Sequence, residues 1–176
     1  VWALYNTALA MVFAFGTLLL TSKGVSTTAS GATVSLFTLF VGIGIPIGGF
    51  LSDKIGRDRI IMASLFVSAL SVPTMAFIPL STTTTFFAVA GLLMGLCAGP
   101  IMTLPSQVLS EQSRAFGMGV FFAVYYAVMM VGPAVAGAIA DWSGFAESAF
   151  LMGALMLAAC IALHWSFIRT TQPDQA

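Results

Sequence analysis

Long apolar stretches separated by short polar clusters dominate the chain. Residues 24–52 and 60–110 contain no Asp, Glu, Lys or Arg. About 20 apolar residues cross the ~30 Å hydrocarbon layer as a helix, so each stretch is long enough to span it. Polar and helix-breaking residues between the apolar segments predict six helices. Their approximate spans are 2–21, 29–51, 60–79, 85–105, 115–140 and 147–168.

The composition indicates a membrane protein and excludes a soluble one. Hydrophobic residues make up 59% of the chain, charged residues 7%, and the mean hydropathy is +1.04. Soluble domains carry roughly a quarter charged residues. A transmembrane barrel would show segments of roughly ten residues with alternating polarity, and this alternation is absent. The expected fold class is therefore all-α integral membrane, with six transmembrane helices in contact with the lipid bilayer.

Positive charges predict how these helices are oriented. With six spans, both termini and the second and fourth connections lie on one side of the membrane. That side carries Lys54, Arg57, Arg59, Arg114 and Arg169, and the other side carries only Lys23. Because basic residues concentrate on the cytoplasmic side, we expect a multi-pass protein of the plasma (inner) membrane with both termini of this segment in the cytoplasm.

Tryptophans and the two chain ends refine this prediction. Trp2 and Trp165 would lie at the cytoplasmic interface and Trp142 at the outer one. The chain begins at Val1 without an initiator Met or a charged leader, so the first helix is expected to be neither a signal peptide nor a natural start. Polar residues at 170–176 predict a short cytoplasmic tail after the last helix.

The two halves of the sequence repeat each other at an offset of 88 positions. Gly44, Gly49, Asp53 and Gly56 recur as Gly132, Gly137, Asp141 and Gly144. Three helices separate equivalent positions, so these lie on opposite faces of the membrane. This arrangement predicts an inverted repeat of three plus three helices, as in secondary transporters. Chance is the alternative, because helix ends favour Gly and Asp in any Gly-rich membrane chain.

Residues Gly49–Arg59 resemble the signature loop of the major facilitator superfamily, Gly-x-x-x-Asp-Arg/Lys-x-Gly-Arg. The match falls on Gly49, Asp53, Lys54, Gly56 and Arg57. In that family the loop joins helices two and three and usually recurs, in weaker form, between helices eight and nine. The fourth predicted helix here lacks the embedded Arg typical of the family's helix four. The chain therefore resembles the carboxyl-terminal half, helices seven to twelve, and the resemblance implies a missing amino-terminal six-helix half.

The resemblance implies a cytoplasmic gating loop, made of Gly49, Asp53, Lys54, Gly56, Arg57 and Arg59. In the family, the Asp faces the positive amino end of a helix in the other half, and the Arg joins salt bridges between the halves. A Glu often lies two residues after the proline that ends helix ten, but Gln107 has that place here. Glu111 and Arg114 are therefore the possible gating partners. The alternative is that the basic residues only set topology and bind lipid headgroups.

Proline and glycine within the helices give a second signal. Pro46 and Pro133 each remove a backbone donor and are expected to bend the second and fifth helices. Small residues spaced four apart, such as Gly44 and Gly48, allow close contact between helices. Bending or sliding during alternating access and ordinary tight packing both fit this pattern.

By resemblance, the first helix of each repeat lines the solute path. The candidate residues are Asn6, Thr17, Thr103 and, on the fifth helix, Tyr126. An interhelical hydrogen bond explains Asn6 equally well. No predicted helix has a charged residue near its middle, so a proton relay or counter-ion would belong to the missing half. His164 is predicted to pack at the cytoplasmic interface rather than to carry protons.

The expected function is transport of a small solute by alternating access, this chain being the carboxyl-terminal half of a secondary transporter. No nucleotide-binding loop, paired histidines or nucleophile–base set indicates an enzyme, and nothing indicates nucleic acid as a partner. Cys97 and Cys160 lack metal-like spacing, so neither a metal nor another cofactor is expected. The alternatives are a non-transporting six-helix scaffold or regulatory subunit, and a half-size transporter that acts as a dimer. Six more spans upstream would favour the first reading, and an initiator Met just before Val1 would favour the others.

Overall fold

The computed structural model describes residues 1–171, and its regular secondary structure there is helical. Six segments are long and apolar enough to cross a membrane, which confirms the predicted all-α fold. The elements are α1 (Trp2–Ser22), α2 (Thr27–Ile55), α3 (Arg57–Met75), α4 (Leu80–Gly95), α5 (Ala98–Met102), α6 (Pro105–Val108), α7 (Arg114–Ser143) and α8 (Ser148–Thr171). In the predicted tail, Thr170 and Thr171 belong to the last turn of α8, and residues 172–176 lie outside the described part.

The fourth span is divided into α4, α5 and α6, where the sequence pattern predicts one helix over 85–105. The helix begins earlier, at Leu80, and its backbone hydrogen bonds become shorter in sequence spacing near its other end. There the Thr103 amide donates to Pro100 O (3.2 Å) and the Leu104 amide to Ile101 O (3.1 Å), three residues back instead of four. Prolines cannot donate a backbone hydrogen bond, so Pro100 and Pro105 account for the interruption.

The connection between α2 and α3 is a single residue, Gly56, with φ of +107°. The sequence pattern predicts a longer loop, because it places the helix ends at 51 and 60. Instead α2 continues through Asp53 and Lys54, and α3 begins at Arg57. Charged residues show where the hydrocarbon layer ends, but the helical hydrogen bonds continue beyond it. We call the end of the bundle with this turn the hairpin end, and the opposite one the far end.

Helices α2 and α4 pack closely against each other at glycines. A Cβ atom added at Gly48 would overlap the carbonyl group of Leu96, and one added at Gly95 would overlap the Val41 carbonyl. Such close approach of two backbones is how helices associate where lipid replaces water. Of the two alternatives for the Gly44–Gly48 pair, the structure shows tight packing, and a sliding role stays a prediction.

Helix contacts follow the offset of 88 positions. Gly44 of α2 packs against Gly95 of α4, and Gly132 of α7 packs against Thr7 of α1. Gly95 and Thr7 are themselves 88 positions apart. In the same way α2 pairs with α4 and α7 with α1, while α3 pairs with α8. The packing is therefore arranged as the predicted inverted repeat requires.

Candidate gating loop and solute path

The α2–α3 turn places its charged residues in two groups. Asp53, Lys54 and Arg59 are exposed, and the Lys54 Nζ lies 4.3 Å above the Phe50 ring. Within residues 1–171, Asp53 makes no ion pair and no side-chain hydrogen bond. Its carboxylate is therefore free to meet a group from outside this six-helix bundle.

Arg57, by contrast, turns inward onto the fourth span. Its Nη1 donates to Thr103 Oγ1 at 3.5 Å. The Gln107 carboxamide also faces the guanidinium, and its oxygen accepts from Arg57 when the amide is oriented to match. Arg57 Nε lies 4.0 Å from Asp58 Oδ1. The guanidinium thus contacts Asp58 of α3, Thr103 between α5 and α6, and Gln107 of α6, all within these six helices.

Asp58 and His164 form a contact that sequence reasoning missed. His164 Nε2 lies 3.2 Å from Asp58 Oδ1, and the His164 side chain is fully buried between α8 and α3. Its ring also stacks on Phe167, with centroids 6.2 Å apart. The prediction of simple interfacial packing for His164 is therefore incomplete. One signal was available, because the sole histidine and Asp58 lie at helix ends on the same side of the membrane.

Glu111 and Arg114, the possible gating partners, are both exposed in the segment 105–114, which runs from α6 to the first residue of α7. No ion pair joins them to each other or to the hairpin within the described residues. Gln107 is the residue of this segment that meets the hairpin.

The four candidate path residues are not brought together. Asn6 and Thr17 are half-buried on α1 but lie about 16 Å apart along its axis, given the helical rise. Asn6 Nδ2 donates to Trp2 O of its own helix at 2.9 Å. Thr103 belongs to the Arg57 contact at the hairpin end. Tyr126 is 64% exposed on α7.

Tyr126 belongs instead to an aromatic cluster. The centroid of its ring lies 4.8 Å from that of Tyr125, and the ring stacks on Phe122 with centroids 6.3 Å apart. The Tyr125 ring centroid lies 6.1 Å from that of Trp2 of α1. Beside this cluster is an apolar cavity of about 350 Å³ at the hairpin end. Among its lining residues are Trp2, Leu104, Val108, Phe121 and Phe167.

Both prolines lie within continuous helices. α2 runs through Pro46 and α7 through Pro133 without a break. Whether they bend during transport stays a prediction.

Helix α7 is the least covered of the six membrane-spanning segments. Gly132 and Ala136 are its only buried residues, and large side chains such as Phe116, Met130 and Trp142 are more than three-quarters exposed, at 79%, 76% and 89%. A helix that is apolar on all sides must face lipid or another protein surface.

Comparison with known proteins places this fold in a family. The model of the Major Facilitator Superfamily matches residues 1–176. Similar proteins include a multi-drug resistance efflux pump PmrA homolog of Lactococcus lactis, 27% identical over 135 residues, which are 75% of this chain and 33% of that protein. The class G tetracycline resistance protein of Vibrio anguillarum is 32% identical over 149 residues, 81% of this chain and 38% of that protein. The class H protein of Pasteurella multocida is 29% identical over 153 residues, covering 83% and 36%.

The chain therefore spans about a third of the length of the curated relatives it matches. The family match extends over every residue and agrees with the six helices and the hairpin geometry. The chain belongs to the major facilitator superfamily.

Proposed function

We propose that this chain is the carboxyl-terminal half of a secondary transporter that moves a small organic solute by alternating access. The proposal rests above all on Asp53, an exposed carboxylate without a partner in residues 1–171, at the end of the signature hairpin. In this role Asp53 binds the positive amino end of a helix in the amino-terminal half and closes the cytoplasmic side.

The uncovered apolar surface of α7 supports a missing half. Relatives about three times longer than the aligned region leave room for six further helices. On this proposal the missing amino-terminal half covers α7 and part of α2. Rocking of the two six-helix bundles then exposes a central path to each side of the membrane in turn. The reaction is movement of an unmodified solute, not chemistry on it.

The solute we propose is an uncharged or amphiphilic organic compound that is exported. Two relatives are named for tetracycline resistance and one for multi-drug efflux. The aromatic cluster and the apolar cavity between α1 and α7 would accept such a compound. A charged group on the solute would need a counter-charge from the other half, since the middle of each span here is uncharged.

The experiment uses the full-length protein expressed in a bacterial strain without its own efflux pumps. We expect energised inside-out vesicles to accumulate tetracycline, and the accumulation to stop when the proton gradient is dissipated. A panel of other amphiphilic antibacterial compounds is tested in parallel. If no compound accumulates above empty vesicles, the transport proposal is wrong and the scaffold alternative gains support. A reading frame without six upstream spans would instead favour a dimer of half-size transporters.

A further inference from the structure

We propose that Asp58 and His164 are positioning residues, which hold the Arg57 guanidinium on the fourth span and thereby fix the hairpin that presents Asp53. This inference rests on the proposed gating function. It assigns a task within one half to Arg57, Asp58 and His164, and it leaves contact with the other half to Asp53.

The first step is the charge around Arg57. Among the described residues, Asp58 is the carboxylate within ion-pair distance of the guanidinium. The other two groups on it, Thr103 and Gln107, are neutral. The hydrogen-bond acceptors on the fourth span therefore set where Arg57 lies, while its charge is balanced from α3.

The second step is what holds Asp58. Its side chain is 25% exposed, yet Oδ1 is buried and makes no aligned hydrogen bond, and the same is true of both ring nitrogens of His164. Buried polar atoms without partners are unfavourable, so Oδ1 and Nε2 depend on one another across the 3.2 Å contact. His164 is on α8, which packs along α3. The contact ties the sixth span to the start of the third.

The third step is the geometry of the turn. Gly56 alone separates α2 from α3, so Arg57 and Asp58 cannot move without moving the end of α2. The chain of contacts from His164 through Asp58 and Arg57 to Gln107 consequently determines the direction in which Asp53 and Lys54 project.

The test measures the mobility of the hairpin without a transport assay. Lys54→Cys is introduced into the full-length protein, with accessible cysteines of the remaining sequence replaced. Cys97 and Cys160 are buried and should not react with the maleimide in the folded protein. In detergent, the rate of maleimide labelling at position 54 should rise about two- to fivefold in Asp58→Asn, the range expected for loss of a partly exposed ion pair. Asp141→Asn, the same change at the far end, serves as the matched control and should leave the rate unchanged.

A second-site rescue of the labelling rate distinguishes a positioning role from a folding defect. Gln107 already faces Arg57, so Gln107→Glu in the Asp58→Asn background puts a carboxylate back on the guanidinium. We expect the labelling rate to return towards that of the parent protein. His164→Phe keeps an aromatic ring that can stack on Phe167 but removes both nitrogens, and it should raise the rate as Asp58→Asn does. The double variant Asp58→Asn, His164→Phe should match either single variant, because the two act through one contact.

An unchanged rate in Asp58→Asn would overturn the proposal, as would an increase that Gln107→Glu fails to reverse or additive effects in the double variant. Labelling reports the hairpin whether or not a solute is transported. A protein that transports none of the tested compounds but shows the rescue would therefore count against the proposed function and for this inference.

Discussion

The surroundings of the Asp53 side chain indicate what stabilises its charge. A carboxylate at the end of a membrane helix is stabilised by water, by a cation or by the amino end of another helix. In residues 1–171 neither a cation nor a helix end is paired with it, although Lys54 is its neighbour in sequence. Within residues 1–171, no protein group is paired with its charge.

Asp53→Asn should lower the transport rate about two- to thirtyfold while expression and membrane insertion stay near normal. The variant keeps the shape of the side chain but removes the charge that the helix dipole attracts, a contribution of about 0.3–2 kcal/mol to the closed state. Solute uptake into inside-out vesicles measures the rate. Asp141→Asn, at the equivalent position of the repeat, is the control, and parental uptake by Asp53→Asn would contradict the gating role.

Asn6→Ala should raise the apparent KM for the solute about two- to tenfold, as expected for loss of one hydrogen bond. The amide nitrogen donates to Trp2 O, but the amide oxygen accepts no hydrogen bond from the described residues and can accept one from a solute donor. Thr170→Ala is the control, since among the described residues that hydroxyl donates to carbonyls of its own helix. An unaltered KM would leave Asn6 a packing residue.

Residue roles were only partly predictable. The left-handed turn at Gly56 follows from the motif, because a non-glycine residue is strained at that φ. The Asp58–His164 contact did not follow, because it joins helices that are far apart in the chain. The inward contact of Arg57 was also missed, since the motif alone cannot distinguish a partner in the same half from one in the other.

At the scale of elements, α2 and α4 behave as one unit. Their glycines bring the two backbones into direct contact, so separating one helix from the other would lose that contact. Tyr5 adds α1 to this unit, because its hydroxyl donates to Met94 O at 2.9 Å in the core. Conformational change among these six helices is therefore easier at the periphery, where α7 is nearly uncovered.

Gly48→Ala should destabilise the folded protein, because the added methyl group overlaps the Leu96 carbonyl. Overpacking of this kind typically costs about 1–3 kcal/mol. Gly42→Ala, on the same helix with open space around it, should be neutral or slightly stabilising. Thermal unfolding in detergent, followed by a dye that reacts with the buried Cys97 and Cys160, measures both. Equal midpoints for the two variants would mean that α2 and α4 are not in close contact.

Helix number was predictable and helix length was not. Charge-free runs determine how many segments can cross a bilayer, whereas backbone hydrogen bonding determines where each helix stops. The charge-free runs and the helix ends differ most at two places. At Asp53–Arg57 the helices continue past the apolar region, and at Cys97–Leu104 prolines interrupt the helix within it.

At the scale of the whole molecule, the charge asymmetry predicts the orientation, with the hairpin end in the cytoplasm. The hairpin end has Lys54, Arg57, Arg59, Arg114 and Arg169, and the far end has Lys23. Basic residues of short loops are retained in the cytoplasm during insertion.

A cysteine at Lys54 should therefore react with a membrane-impermeant maleimide in inside-out vesicles and not in intact cells. A cysteine at Trp142, which is 89% exposed at the far end, should show the opposite pattern. The two substitutions control for each other, because both positions are exposed. Reaction at Lys54→Cys from outside intact cells would reverse the proposed topology.

The single residue between α2 and α3 also determines where this protein accepts added sequence. A tag inserted beside Gly56 would separate Asp53 from Arg57 and pull the turn away from the fourth span. The α1–α2 connection at the far end is a better place, since Gly24 has open space around it and φ of +87°. Reporter fusions and epitopes for locating this protein in cells are best placed there.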